Sequence, residues 1–199
     1  ADPSVLRQSK YIADWGHFPV YRNTATEYYE SGEAMFPDML AALESAEHFI
    51  FLEYFIIEEG IMWDTILDIL REKAAAGLDV RVLYDDVGSI CTLPKDYDRY
   101  LMSLGIHAVR FNRFIPTLNT YLNYRNHRKM MIIDGNVGYM GGINLADEYI
   151  NKKVRFGYWK DTGIMLRGEG TANMTALFLQ MWEYVTGEDM PPLENYLPT

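Results

Sequence analysis

The sequence predicts an α/β fold, a mixed β-sheet flanked by helices. Three observations carry this. Short apolar runs alternate with segments whose apolar residues recur every three to four positions. The first run–helix–run succession has short joints, which marks a βαβ unit with parallel strands. Two later apolar runs are separated only by Asp134-Gly135-Asn136, a hairpin signal that demands antiparallel strands.

Residues 1–30 are mixed in character, with an edge strand expected at 19–22. Residues 32–46 read as a helix capped by Ser31, with Pro37 near its start, where proline is tolerated. Residues 48–57, rich in Phe, Ile, Leu and Tyr, read as a buried strand. Ile61, Ile66, Ile69 and Leu70 mark the apolar side of a helix that Gly77 ends. Val80, Val82 and Tyr84 alternate in a strand ending at Asp85 and Asp86. A short helix over 94–104 stops at Gly105, a strand covers 107–111, and 112–126 form a polar and aromatic loop. Residues 129–133 and 137–140 are the hairpin strands, and 158–166 a further strand. Residues 171–186 form a helix with Met174, Leu177, Phe178, Met181 and Val185 facing the core.

With 199 residues, 49% hydrophobic and 23% charged, the composition is that of a soluble globular domain and excludes disorder. The single cysteine, Cys91, excludes an internal disulfide framework and a cysteine-built zinc site. No apolar run reaches the length of a membrane span. A net charge of −10 argues against nucleic acid as a partner. The charge is uneven, however. Residues 99–133 hold no carboxylate but carry Arg99, Arg110, Arg113, Arg125, Arg128 and Lys129. Either these build a positive face for a phosphate-bearing ligand or they pair with acidic neighbours elsewhere in the fold. Three segments are expected: an extension or cloning remnant over 1–19, one domain over 20–187 and a linker over 188–199. The opening Ala-Asp-Pro-Ser predicts a piece of a longer protein.

The chemistry concentrates in Asn126-His127-Arg128-Lys129-Met130-Met131-Ile132-Ile133-Asp134, followed by Gly141-Gly142-Ile143-Asn144. This composition yields about 0.01 chance matches to His-x-Lys-x-x-x-x-Asp. Residues two apart in a strand share a face, so His127 and Lys129 are expected to converge. Asp134, at odd spacing from His127, is expected to play a supporting role. An imidazole can attack phosphorus or protonate a leaving alkoxide, once a carboxylate has set its tautomer. Lys129 offers positive charge to phosphoryl oxygens in the transition state, Asn144 can donate hydrogen bonds to them, and Gly141 and Gly142 allow close backbone approach. None of these roles needs a metal.

The motif resembles that of the phospholipase D superfamily, with His127, Lys129, Asp134 and Asn144 matching position by position. Many members have Gly-Ser where this chain has Gly141-Gly142. The closer likeness is to bacterial cardiolipin synthases. It rests on residues 126–129, 141–149 and Trp159-Lys160-Asp161, with Leu52-Glu53-Tyr54-Phe55-Ile56-Ile57 and Val82-Leu83-Tyr84-Asp85-Asp86. The resemblance implies one half of a two-lobed α/β sandwich in which two motifs build one site. One histidine becomes a phosphohistidine and the other acts as acid, then base. It further implies transfer of a phosphatidyl group between two phosphatidylglycerol molecules with release of glycerol, no cofactor, and Asp161 orienting the nucleophilic histidine. The parent would sit at the bacterial cell membrane, with this piece itself soluble.

Only one such motif is present, so the expected partner is a second motif-bearing half or a second copy of the chain. Phe111, Phe114, Ile115, Tyr121 and Tyr124 are candidates for that junction or for lipid contact. Arg125 and Arg128 either hold an anionic headgroup or balance Asp147 and Glu148. Glu53, in an apolar strand, either supports the site from behind or pairs with an arginine. Asp85 and Asp86 are expected to bond to loops rather than to Mg²⁺. The alternatives to a phosphatidyltransferase half are a homodimeric phosphodiesterase or nuclease and a non-catalytic anion- or lipid-binding half.

Overall fold

The computed structural model describes residues 2–114 and 124–197. Seven strands form one mixed sheet: β1 (Thr24–Tyr29), β2 (Phe49–Tyr54), β3 (Asp79–Asp85), β4 (His107–Phe111), β5 (Met130–Ile133), β6 (Val137–Gly141) and β7 (Gly163–Gly168). Their order across the sheet is β1-β7-β6-β5-β2-β3-β4. The β2–β3 and β3–β4 pairs are parallel and the others antiparallel, as the βαβ and hairpin signals require. The hairpin turn puts Asp134 and Gly135 at φ 51° and 63°, the positive-φ geometry that matches strand twist.

Helices α2 (Gly32–Glu44) and α3 (Ile61–Ala75) cover one face, and α6 (Thr171–Thr186) the other. The central strand β2 shows why. All six of its residues are buried, and they alternate between two cores. Ile50, Leu52 and Tyr54 pack with Met39, Trp63 and Ile66, whereas Phe49 and Phe51 pack with Phe178 and Trp182. The Phe51 ring stacks on Phe178 at 4.6 Å. Met174 and Phe178 are buried in that second core, as their helical spacing predicts.

The ends of α2 and α6 follow their sequence signals. Ser31 Oγ accepts the Ala34 N–H, and Gly187 closes α6 at φ 71°. Three expectations need correction. No strand covers 19–22; the edge strand is β1, and α1 (Pro3–Gly16) precedes it with no buried residue. Asp2 caps α1, with Pro3 in its first turn, a start signal that no apolar stripe of core residues follows. Pro37 lies inside α2, where it deprives the Glu33 carbonyl of its intrahelical donor. The last strand is β7 rather than 158–166, because Trp159 is held in the preceding loop by both polar groups of the Asn151 side chain. Two short helices, α4 (Asp86–Ser89) and α5 (Tyr97–Ser103), complete the described chain with a final 3-10 turn at Leu193–Tyr196.

Candidate active site

The C-terminal ends of the parallel strands β2 and β3 meet the start of β5 at one end of the sheet. Two buried carboxylates stand there, Glu53 on β2 and Asp85 on β3, both 0% exposed. Their strands pair Glu53 with Leu83, so Glu53 and Asp85 project from the same face. Together they hold the segment that carries His127. Asp85 accepts the Asn126 N–H at 2.9 Å, the Gly88 N–H at 2.9 Å and Arg125 Nη1 at 3.3 Å. Glu53 Oε1 accepts Asn126 Nδ2 at 2.5 Å and Arg128 Nη1 at 3.3 Å. Asn126 Oδ1 in turn accepts the Arg128 N–H at 3.2 Å. Both neighbours of His127 are thus tied to one carboxylate. Burial pushes the Glu53 carboxyl above its ordinary value, against the pull of Asn126 and Arg128.

His127 itself is exposed, and its ring lies 4.7 Å from that of Phe55. Lys129 is buried, with Nζ 5.0 Å above the same Phe55 ring and 2.7 Å from the His127 carbonyl oxygen. Imidazole and ammonium thus each lie against the Phe55 ring, in the segment leading into β5 rather than within the strand. Burial lowers the Lys129 pKa from 10.5 to about 8, partly offset by Asp161 and Asp85.

The other motif residues divide between site and scaffold. Asp134 lies at the far end of β5, where its carboxylate accepts the N–H groups of Glu47, His48 and Phe49, each at 2.8 Å. That is a supporting role. Asn144 departs from the expectation of a free phosphate donor. It is 2% exposed, its Oδ1 accepts the Ile56 N–H at 2.9 Å and its Nδ2 donates to Tyr149 Oη at 2.7 Å. The two glycines are required by close packing. A Cβ on Gly141 would meet the Thr162 carbonyl at 2.4 Å, and one on Gly142 would meet Asp161 Oδ1 at 2.1 Å. The carboxylate of Asp161 thus occupies the space a serine side chain at 142 would need. It accepts the Thr162 N–H at 2.8 Å and, among the described residues, makes no hydrogen bond to His127.

The basic stretch resolves mostly into ion pairs. Arg110 pairs with Asp86, Asp96 and Asp98, and Arg113 with Asp98. Arg125 pairs with Asp85, and Arg128 with Glu53. Arg125 and Arg128 therefore do not balance Asp147 and Glu148. Asp147 caps α3 through the Ile61 and Met62 N–H groups, and Glu148 pairs with Arg155. Arg125 is held inside the fold, while Arg128 remains 42% exposed beside His127. Asp86, the first residue of α4, accepts the Phe114 N–H at 2.6 Å, so Asp85 and Asp86 both bond to loop backbone. Among the described residues no three metal-ligating side chains gather. Phe114 and Tyr124 are exposed and Phe111 is half-buried, while Ile115 and Tyr121 lie outside the described residues. Sequence reasoning named Phe55 and Asn126 only within matching segments and gave neither a role; Phe55 is the ring against which His127 and Lys129 both lie, and the place of Asn126 beside His127 was the available signal.

The family described as cardiolipin synthase, PLD-like domain, matches residues 39–182. A Streptococcus mutans protein described only as uncharacterized is 52% identical over 174 residues, which is 87% of this chain and 38% of that protein. Cardiolipin synthase 2 of Bacillus anthracis is 44% identical over 193 residues, covering 92% of this chain and 37% of its own length. Among solved structures, NucT from Helicobacter pylori superposes with a TM-score of 0.62 at 14% identity, over 81% of this chain and 97% of that one. That likeness shows the shared fold. The chain spans little more than a third of the curated relatives' length, 38% and 37%. The match takes in the parallel strands, the His-Lys segment, both glycines and Asp161, and with it the chain belongs to the cardiolipin synthase family of phospholipase D-like domains.

Proposed function

We propose that this chain is one lobe of a two-lobed phosphatidyltransferase that moves a phosphatidyl group between phosphatidylglycerol molecules. The observation that carries the reading is the convergence of the exposed His127 ring and the buried Lys129 ammonium on Phe55. A free imidazole beside a desolvated cation suits attack on an anionic diester, because the cation strengthens as water is excluded. In the proposed step a His127 nitrogen forms a bond to phosphorus as the bond to the glycerol oxygen breaks. The departing alkoxide takes a proton from the histidine of the second lobe. A hydroxyl of another phosphatidylglycerol then replaces the nitrogen and returns its proton to that histidine. Lys129 bears the charge that develops on the phosphoryl oxygens, with Arg128 at the rim. Asp161, beside both Gly142 and Lys129, is proposed to reach the imidazole when substrate is bound. The second lobe is supplied by the rest of a longer polypeptide or by another copy, and the lipid substrate brings the assembly to a membrane surface.

The test is a trapped intermediate. The chain assembled with a second motif-bearing lobe, given labelled phosphatidylglycerol and quenched in alkali, is expected to carry an acid-labile adduct on His127 by mass spectrometry. His127→Ala is expected to abolish both adduct and transfer, by more than about 10³-fold. Full transfer in the His127→Ala assembly sinks the assignment. Cleavage of a simple diester by a dimer of the chain, without lipid transfer, would favour the phosphodiesterase instead.

A further inference from the structure

Strand register sets one row of side chains across the sheet beside His127. Glu53 stands opposite Met130, Met130 opposite Met140, Met140 opposite Ile164, and Ile164 opposite Tyr28. Directly paired residues share a face, and Met130 belongs to the core under α6, so the row lies on the α6 side. One register step further from the site, α6 closes down on the sheet. Gly138 makes this possible, since a Cβ there would stand 2.6 Å from Met174 Sδ. The row opens outward from the buried Glu53 and Met130, with Met140 44% and Tyr28 67% exposed. The result is a groove of about 370 Å³ that begins at His127, Arg128 and Lys129 and runs out between Met140, Ile164 and Leu177.

We infer that this groove receives a hydrocarbon chain of the substrate, an inference that rests on the phosphatidyl-transfer reading. Its two ends match the two ends of an anionic lipid. The Glu53 end of the row is covered by Arg128, whose side chain is 42% exposed and whose Nη1 pairs with Glu53. Beyond it the lining is apolar and rich in methionine, whose unbranched side chain adapts to a flexible ligand. A polynucleotide carries charge and polar sugars on both sides of each phosphate and would leave this wall unsatisfied. A lipid diester is polar on one side and alkyl on the other.

Calorimetric titration of the chain tests this with glycerophosphoglycerol as the chain-free probe, and with dibutanoyl-, dihexanoyl- and dioctanoyl-phosphatidylglycerol below their micelle concentrations. Affinity is expected to rise about tenfold for each two-carbon step, as one chain buries two further methylenes. In Met140→Gln and Tyr28→Ser, both at exposed positions, the ladder is expected to flatten to under threefold in total. If glycerophosphoglycerol binds through Lys129, as loss in Lys129→Met would show, while chain length has no effect, the groove is overturned and the functional reading stands. If none of the probes binds the chain, the groove is overturned, and the functional reading is decided by the His127 adduct in the assembly. A substitution that changes particle mass by light scattering marks the groove as a seat for another copy and also overturns the inference.

Discussion

The two ends of strand β5 carry the two halves of one motif and do opposite work. At its start, residues 125–129 cross the open end of the sheet, with His127 exposed and in contact with one ring. At its finish, Asp134 is fastened to three consecutive N–H groups of the chain entering β2. The first end leaves the ring proposed to react open to solvent. The second uses its whole carboxylate to fix the register of β5 against β2. On the proposed reading the motif pairs a reacting group with the brace that locates it, and substitutions at the two ends should separate into losses of rate and losses of fold.

The largest effect on the fold is expected at Asp134. Asp134→Ala removes the acceptor for three N–H groups and places alanine at φ 51°, a left-handed geometry it tolerates poorly. Two of those groups are exposed and regain water, so the expected loss is about 3 kcal/mol, with Asp134→Asn near 1 kcal/mol. Urea unfolding of the chain checks this. A loss below about 0.5 kcal/mol would show that the brace is not needed.

Next comes Lys129, where rate and stability should move in opposite directions. In the assembled enzyme Lys129→Met is expected to slow transfer about hundredfold, the scale for losing one charge-stabilising donor. The wild-type rate should fall as pH rises through about 8, because the ammonium proposed to serve the phosphoryl oxygens is lost there. For folding the sign is reversed. The lysine holds its proton less tightly folded than unfolded, so its charge opposes folding below about pH 8. Stability gains as pH rises from there through the ordinary lysine value of 10.5. Thermal melts at pH 7 should therefore find Lys129→Met at least as stable as the parent. A flat pH–rate profile from 7 to 9.5 would contradict the assigned role.

These contrasts explain what was legible in the sequence. The βαβ unit, the hairpin and α6 follow from local period and turn chemistry, so they could be read from neighbouring residues. His127 and Lys129 stood out because their spacing is both rare and geometrically meaningful. The partners of Arg125 and Arg128 were not legible. Asp85 and Glu53 lie 40 and 75 residues away, and only the parallel register of β2 and β3 sets them side by side. Asn144 read as a ligand donor because its environment, Ile56 and Tyr149, is formed only when the fold closes. The row from buried Met130 out to exposed Tyr28 depends on three strand pairings at once and leaves no periodic trace.

Glu53 belongs to neither end of β5, and the smallest predicted effect lies there. We propose it as a positioning residue: it is bonded to Asn126 and Arg128 but, among the described residues, not to His127. Its raised pKa means that the folded state favours the protonated form, so its charge at neutral pH costs stability, a cost that fades as pH falls toward 4.5. Glu53→Gln keeps an oxygen for Asn126 and removes that charge, so the chain should melt no lower than the parent at pH 7. What it loses is the ionic hold on Arg128, and with it the fixed placement of the peptide between them. Turnover in the assembled enzyme is expected to drop about fivefold in kcat with KM unchanged, because a small misplacement of a nucleophile costs rate before binding. The acid limb of the pH–rate profile should weaken in the same variant, since an amide at this position has no proton to gain. A structural residue with no part in placing His127 would instead lower the melting temperature and leave that limb where it was.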